Sequence, residues 1–106
     1  MEIIYTQTVN DGQFTLYDES EIVGYIKYEW SKNGNINVTG TFIEEKYRGQ
    51  SLGDTLMNEI IELAEQNDVL IYPICPFVIH YFNKNQEYNY LLDEDYLASL
   101  KEENKE

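Results

Sequence analysis

The sequence is poor in cysteine, histidine and basic residues, and each shortage excludes a class of protein. One cysteine, Cys75, among 106 residues cannot form an internal disulfide, and one Cys with one His cannot build a zinc site at any familiar ligand spacing. Seven lysines and arginines stand against 20 aspartates and glutamates, which gives a formal charge of -13. Nucleic acids and anionic membrane surfaces require a basic patch, so we expect neither as a main partner.

Long apolar segments are also missing. The N-terminus, MEIIYTQTVNDG, has neither a basic region nor an apolar run, so we expect no signal peptide, no transmembrane helix and a cytoplasmic location. Apolar residues still make up 42% of the chain and aromatic residues 14%, which is typical of a folded protein. The sequence therefore predicts one small domain with a single core and an acidic surface.

Alternation of apolar and polar residues predicts four antiparallel strands in the first half of the chain. The segments EIIYTQTV and QFTLYD flank Asn10-Asp11-Gly12, which predicts a hairpin. A turn at residues 32–35 leads into INVTGTFI, the fourth strand. In the third strand, residues 21–31, the residues expected on one face are Ile22, Gly24, Ile26, Tyr28 and Trp30.

Helical spacing begins after residue 51, where the recurring apolar residues are Leu52, Leu56, Ile60, Leu63 and Ala64. The run VLIYPIC is then typical of a short buried strand, and PFVIHYFNKN predicts a second helix with Pro76 in its first turn. The fold class is therefore α+β: a mostly antiparallel mixed sheet in the order four strands, helix, strand, helix. Residues 1–92 would form this domain, and residues 93–106, with six acidic and two basic residues, an acidic tail or solvated helix.

A loop with two glycines, YRGQSLG at residues 47–53, joins the fourth strand to the first helix. Free backbone N–H groups at the start of a helix, together with the helix dipole, bind phosphate. Gly49 and Gly53 would let a ligand approach the backbone closely, and Lys46 and Arg48 add positive charge beside it. The residues alone also allow an ordinary helix start, capped by Ser51 and flanked by two solvated basic side chains.

Two motifs resemble a known superfamily. IEEKYRGQSLGDTLMNEIIELA resembles the acyl-CoA-binding motif of GNAT acyltransferases, Arg/Gln-x-x-Gly-x-Gly/Ala, with Arg48, Ser51 and Gly53 at its first, fourth and sixth positions. A serine thus replaces the middle glycine. YPICPFVIHYFNKNQEYNYLL resembles a subfamily of very small GNAT-like proteins with a Pro-x-Cys-Pro-Phe/Tyr motif. The helices that larger GNAT enzymes carry between their first strands are missing.

The resemblance implies an N-acyltransferase that uses acetyl-CoA and acts on an unidentified amine, either a small molecule or a protein lysine. Pyrophosphate would lie on the amides of residues 48–54, and the pantetheine arm of coenzyme A would run beside the fourth strand. The residues that the resemblance places at the cofactor are Thr41, Phe42, Ile43, Lys46, Arg48, Gly49, Gln50, Ser51, Leu52, Gly53, Asp54 and Cys75.

The resemblance also implies catalytic candidates. Tyr81 matches the tyrosine that protonates the departing thiolate, and Phe82 competes for the same position. Cys75, at the end of the fifth strand, would lie near the reacting sulfur. Glu44 and Glu45 follow the fourth strand and are candidate bases for the incoming ammonium group.

The residues by themselves leave other roles open. Tyr81 and Cys75 are equally explained as core residues, Glu44 and Glu45 as surface carboxylates, and His80 as a structural or surface residue rather than a base. Two further functions are open as well. One is a CoA-binding module without turnover, because the substrate-side helices are missing. The other is an acidic protein-interaction module.

Overall fold

The computed structural model describes residues 1–103 and shows an α+β fold built on one five-stranded sheet. Strands β1 (Glu2–Gln7), β2 (Asp11–Asp18), β3 (Glu21–Trp30) and β4 (Ile36–Ile43) are antiparallel neighbours, and β5 (Ile71–Pro73) is parallel to β4. Helix α1 (Leu52–Asn67) connects β4 to β5, and helices α2 (Pro76–Lys84) and α3 (Glu94–Glu103) follow. Short 3₁₀ helices span Glu45–Tyr47 and Gln86–Leu91. The predicted fold class and element order are confirmed.

The core lies between one face of the sheet and helix α1. Phe14 and Ile26 are register partners on β2 and β3, and Tyr28 and Val38 are partners on β3 and β4. All four are buried in one cluster with the α1 side chains Leu56, Met57, Ile60 and Ala64. Each large apolar side chain so buried stabilises the fold by roughly 1.5–3 kcal/mol. The residues between them in sequence point to the other face, where Lys27 and Glu29 are exposed.

A β-bulge changes the face predicted for the start of β3. Leu16 pairs with Gly24 but Tyr17 pairs with Ile22, so Val23 is an extra residue without a partner on β2. Val23 is fully buried, and Ile22 is 48% exposed. The prediction that Ile22 shares a face with Ile26 and Tyr28 is therefore wrong, because the bulge shifts the alternation by one residue.

A buried carboxylate holds the segment after residue 92 to the sheet. Asp93 Oδ2 accepts hydrogen bonds from Asn35 Nδ2 (2.8 Å) and Asn33 Nδ2 (3.2 Å), and its Oδ1 accepts from the N–H groups of Asp95 (2.7 Å) and Tyr96 (3.2 Å). Asp93 is thus the N-cap of α3. The first turn of the predicted solvated helix is therefore anchored, since Tyr96 is also buried and contacts the Tyr72 ring. Residues 104–106 of the predicted tail lie outside the described residues.

Burial raises the pKa of the Asp93 carboxyl, but the four hydrogen bonds stabilise its charged form more strongly and bring the pKa below the usual range. Between residues 1 and 103, no helix is long and apolar enough to cross a membrane.

Candidate functional site

Strands β4 and β5 pair over three residues and then separate. The register partners are Ile36 with Ile71, Asn37 with Tyr72 and Val38 with Pro73. Beyond them, the N–H groups of Ile74 and Cys75 both donate to the same carbonyl, that of Val38, at 3.1 Å each. Pro73 has no N–H group to extend the ladder, which helps to end β5 well short of the predicted strand. In the described chain, no strand pairs with this edge of β4 after Val38, so its backbone from Thr39 to Phe42 is available to a ligand, whereas the Ile43 carbonyl accepts a hydrogen bond from Arg48.

A cavity of about 390 Å³, which we call the loop cavity, opens beside this edge. It lies between the end of β4, the loop after it and the first turns of α1 and α2. Its lining residues are Thr41, Phe42, Ile43, Tyr47, Arg48, Gly49, Ser51, Leu52, Gly53, Asp54 and Phe77. The structure thus brings together the predicted cofactor residues other than Lys46, Gln50 and Cys75. Sequence reasoning missed Tyr47 and Phe77, although both stand inside the quoted motifs.

The loop presents a row of free donors to this cavity. Over residues 1–103, the backbone N–H groups of residues 49–54 donate to no hydrogen bond, and the first bond of α1 runs from Thr55 N to Ser51 O (3.3 Å). These donors lie at the positive end of a 16-residue helix. Arg48 is exposed, and its Nε donates to Ile43 O at 2.9 Å, which keeps its guanidinium beside the cavity. This combination suits a phosphate or pyrophosphate group.

Two left-handed residues shape the loop. Gly49 has φ 85° and Ser51 has φ 59°, and only glycine adopts such values without steric cost. Ser51 occupies the N-cap position of α1, yet its side chain makes no capping hydrogen bond. The alternative in which Ser51 caps the helix is therefore wrong. The left-handed conformation also explains why the resembling motif has a glycine where this chain has Ser51.

Gly53 is fixed by helix packing as well as by its place beside the cavity. A Cβ at residue 53 would lie 2.5 Å from Phe77 Cζ and 2.8 Å from Phe77 Cε2. Because these distances are well inside van der Waals contact, any side chain at this position would have to displace the Phe77 ring. The lack of a side chain at residue 53, which was predicted to let a ligand approach the backbone, is therefore also required for the packing of Phe77.

Lys46 points away from the loop cavity. Its Nζ lies 2.5 Å from Glu21 Oε1 and 5.3 Å from the centre of the Tyr47 ring. Tyr47 in turn donates its hydroxyl to Asp18 Oδ2 at 3.0 Å. The β2–β3 hairpin therefore holds the 3₁₀ turn that leads into the loop, and Arg48 is the cation that lines the cavity in the described chain.

Cys75 lies where β4 and β5 separate, and Tyr81 lies on α2; neither lines the loop cavity. The Cys75 thiol is 3.7 Å from Thr41 Oγ1, which lines the loop cavity, and Cys75 is 9% exposed. Tyr81 is 6% exposed and packs against the rings of Phe82 and Tyr88. Burial raises the pKa of Tyr81, and nearby Tyr88, Asp54 and Glu87 raise it further.

The Tyr81 hydroxyl makes no hydrogen bond to any of the described residues, while Phe82 beside it is 2% exposed and has no polar group. Tyr81 is therefore the one of the two that could donate a proton to a ligand.

The other catalytic candidates are on the surface. Glu44, Glu45 and His80 are exposed and do not line the loop cavity. The Glu44 N–H donates to Val23 O at 2.7 Å, so this residue continues the pairing of β3 with β4. Residues 1–103 contain no cluster of three or more His, Cys, Asp or Glu side chains that could hold a metal ion.

Residues 13–91 match the family model of the GCN5-related N-acetyl-transferases. A similar solved structure is that of a GCN5-like protein from Staphylococcus aureus, proposed to be an N-acetyltransferase. It is 26% identical with a TM-score of 0.66, and the match covers 85% of this chain and 87% of that one. A comparison with curated proteins found no match.

Two more distant structures share the fold. A Bacillus anthracis protein proposed to be a streptothricin acetyltransferase, solved in complex with acetyl coenzyme A, is 16% identical with a TM-score of 0.61; the match covers 76% of this chain and 48% of that one. A ribosomal-protein-alanine N-acetyltransferase from Brucella melitensis is 14% identical with a TM-score of 0.58, over 82% of this chain and 64% of that one.

Proposed function

This chain belongs to the GCN5-related N-acetyltransferase family, and we propose that it transfers an acetyl group from acetyl-CoA to an amine. The observation that carries the proposal is the row of free N–H groups at residues 49–54, beside Arg48 and continuous with the open edge of β4. The N–H groups and Arg48 would hold the pyrophosphate. The exposed backbone of Thr41 to Ile43, apart from the Ile43 carbonyl that accepts from Arg48, would pair with the amide groups of the pantetheine arm as a strand pairs with a sheet edge.

Acetyl-CoA would supply an activated acetyl thioester where β4 and β5 separate. During transfer a C–N bond forms, the C–S bond breaks, and the sulfur leaves as a thiolate that takes up a proton. Tyr81 is proposed as the donor of that proton, because its raised pKa keeps the hydroxyl protonated at neutral pH and no described residue occupies it. Glu44 and Glu45 remain the predicted acceptors of the amine proton, which would be transferred to them directly or through water.

Cys75 is proposed to shape the acyl pocket rather than to carry the acyl group. Its thiol faces Thr41 across the gap between the two strands. Direct transfer from the thioester to an amine needs no protein nucleophile. Membership in the group of very small GNAT proteins is a related inference. It is supported by the placement of Pro73-Ile74-Cys75-Pro76 at the strand separation and by the match to 87% of the Staphylococcus aureus chain.

A binding module without turnover is the second candidate, because the predicted bases Glu44 and Glu45 lie outside the loop cavity. Titration calorimetry with acetyl-CoA and with CoA, followed by a thiol-release assay over a panel of amines, tests both functions. Binding with release supports the transferase, and binding without release supports the module.

The same experiment includes two charge variants. Arg48→Gln should weaken CoA binding about tenfold, because a charge-assisted hydrogen bond is lost. Lys32→Gln removes one exposed positive charge outside the loop cavity and serves as the control. A folded wild-type protein that binds neither compound would overturn both candidates and favour an acidic protein-interaction module.

A further inference from the structure

A second cavity, of about 320 Å³, lies on the sheet face opposite the core; we call it the sheet cavity. Thr6, Gln13 and Lys27 line it and are register neighbours on β1, β2 and β3. The residues after Gln13 and before Lys27, Phe14 and Ile26, are buried in the core. Because side chains alternate along a strand, Gln13 and Lys27 point away from α1.

The sheet cavity reaches β4 where this strand parts from β5. Lys27 pairs with Gly40 but Tyr28 pairs with Val38, so Thr39 between them is a bulge residue, and it lines this cavity. Val38 is the residue whose carbonyl accepts both hydrogen bonds from Ile74 and Cys75. Thr41, which lines the loop cavity, is two residues further on, about 7 Å along a strand. Both cavities therefore reach β4 just beyond Val38, where the two strands separate and the thioester would lie.

The sheet cavity contains charges of both signs. Lys27 is exposed, forms no ion pair with any residue between 1 and 103, and lays its stem across Gly40, where a Cβ would come 2.9 Å from Lys27 Cε. Asp11 and Glu29, which are register partners, line the same cavity. A chain with a charge of -13 has thus left one lysine unpaired beside two carboxylates, in a cavity otherwise lined by hydroxyl and amide side chains.

From this arrangement we propose that the sheet cavity binds the acceptor, and that the acceptor carries a carboxylate as well as an amine, as a free amino acid does. Lys27 pairs with the carboxylate of the acceptor, and Asp11 and Glu29 attract its ammonium group. A purely cationic amine is attracted by the same two carboxylates but leaves Lys27 without a partner beside a like charge, and so would bind more weakly than an amino acid. This inference rests on the proposed function, because it takes the thioester to lie between β4 and β5.

The test is an NMR titration of the ¹⁵N-labelled protein, with and without saturating CoA. The probes are a panel of L-amino acids, the matching amino acid amides, which lack the carboxylate, and putrescine, which carries only positive charge. Amino acids should shift the backbone signals of Gln13, Lys27 and Thr39. The amides and putrescine should bind at least about tenfold more weakly, as expected when one charge-assisted hydrogen bond is missing.

Two lysine variants give the matched comparison. Lys27→Met should remove the preference for amino acids over their amides, while the affinity for CoA stays that of the wild type. Lys84→Met removes an exposed lysine that lines neither cavity, and should keep the preference.

Each outcome decides between the two proposals. If CoA shifts the signals of residues 49–54 but no amino acid shifts those of the sheet cavity, the acceptor site is wrong and the proposed function stands. Equal or tighter binding of the amides or putrescine in this cavity would overturn the acceptor class. If CoA shifts no signals, the proposed function fails, and the titration without CoA still shows whether the sheet cavity takes amino acids.

Discussion

Gly53 of α1 and Phe77 of α2 are in such close contact that the position has no room for a Cβ, which would lie 2.5 Å from Phe77 Cζ. Both residues line the loop cavity, so this contact lies at the proposed CoA site. A substitution at Gly53 therefore acts on stability and on binding at once, and the two effects must be separated.

Gly53→Ala should lower the free energy of unfolding by about 1–3 kcal/mol, because overpacking strains both helices. Chemical denaturation measures the change, and calorimetry measures CoA binding in the folded protein. The control is the double variant Gly53→Ala/Phe77→Leu, in which the smaller side chain makes room for the methyl group. Recovery of stability and of CoA binding would show that packing is the cause. Recovered stability without recovered binding would show that the ligand itself needs the glycine.

Ser51→Gly should raise the free energy of unfolding by up to about 1 kcal/mol, because glycine adopts the left-handed conformation of residue 51 without steric cost. CoA affinity should be unchanged or higher. Ser31→Gly is the matched control, since Ser31 does not have a positive φ, and there glycine only adds freedom to the unfolded chain. Equal destabilisation of the two variants in a urea titration would contradict a strained Ser51.

Tyr81→Phe should lower kcat at least about a hundredfold without changing acetyl-CoA affinity, because it removes the proposed proton donor and keeps the ring. Tyr88→Phe, in the neighbouring stacked ring, should have little effect on the rate. Burial raises the pKa of Tyr81 above the ordinary tyrosine value, so its hydroxyl stays protonated across the neutral range and this group should cause no fall in rate there. A Tyr81→Phe variant with the wild-type kcat would remove the tyrosine from the mechanism.

Cys75→Ala should keep transfer activity, because the proposed mechanism forms no bond to the thiol. Stability should fall modestly, since the thiol is buried beside Thr41. Intact-mass analysis after incubation with acetyl-CoA should show no acetyl group on Cys75. A hydroxylamine-sensitive acetyl group there, together with an inactive alanine variant that still binds CoA, would instead establish a covalent relay.

Asp93 should make stability depend on pH in the acid range. Its pKa is lower in the folded chain than its usual value of 3.8, so the unfolded chain takes up the proton more readily as the pH falls. The stabilisation is therefore complete above about pH 5 and is lost as the pH falls through 4 and below.

Asp93→Asn should lower the free energy of unfolding by about 1–3 kcal/mol at pH 7. Between pH 5 and 3, the variant should lose less of its remaining stability than the wild type does. Glu94→Gln, at the exposed next position, is the control and should follow the wild-type curve. If the free energies of unfolding of wild type and Asp93→Asn fall in parallel as the pH is lowered, this carboxylate does not contribute to the loss of stability in acid.

The order of elements and the place of the loop were determined by the sequence alone. Apolar residues repeat every second position in β2 and β4 and at helical spacing in α1, and such repeats define a buried face without reference to any partner. The glycines and basic residues of the loop likewise stand close together in the chain. Most of the residues that line the loop cavity could therefore be predicted, and the resemblance to GNAT proteins gave them a ligand.

Contacts between distant residues were decided only by the tertiary structure. Lys46 belongs to the predicted phosphate site by sequence, yet it pairs with Glu21, which the strand register brings beside it. Ile22 and Val23 exchange faces because one bulge shifts the alternation, and a bulge has no periodic signature. The closeness of Gly53 to Phe77 and of Asp93 to Asn35 depends in the same way on how whole elements pack. Local spacing fixes which face of an element is buried, whereas the partner on that face is fixed by register and packing over the entire fold.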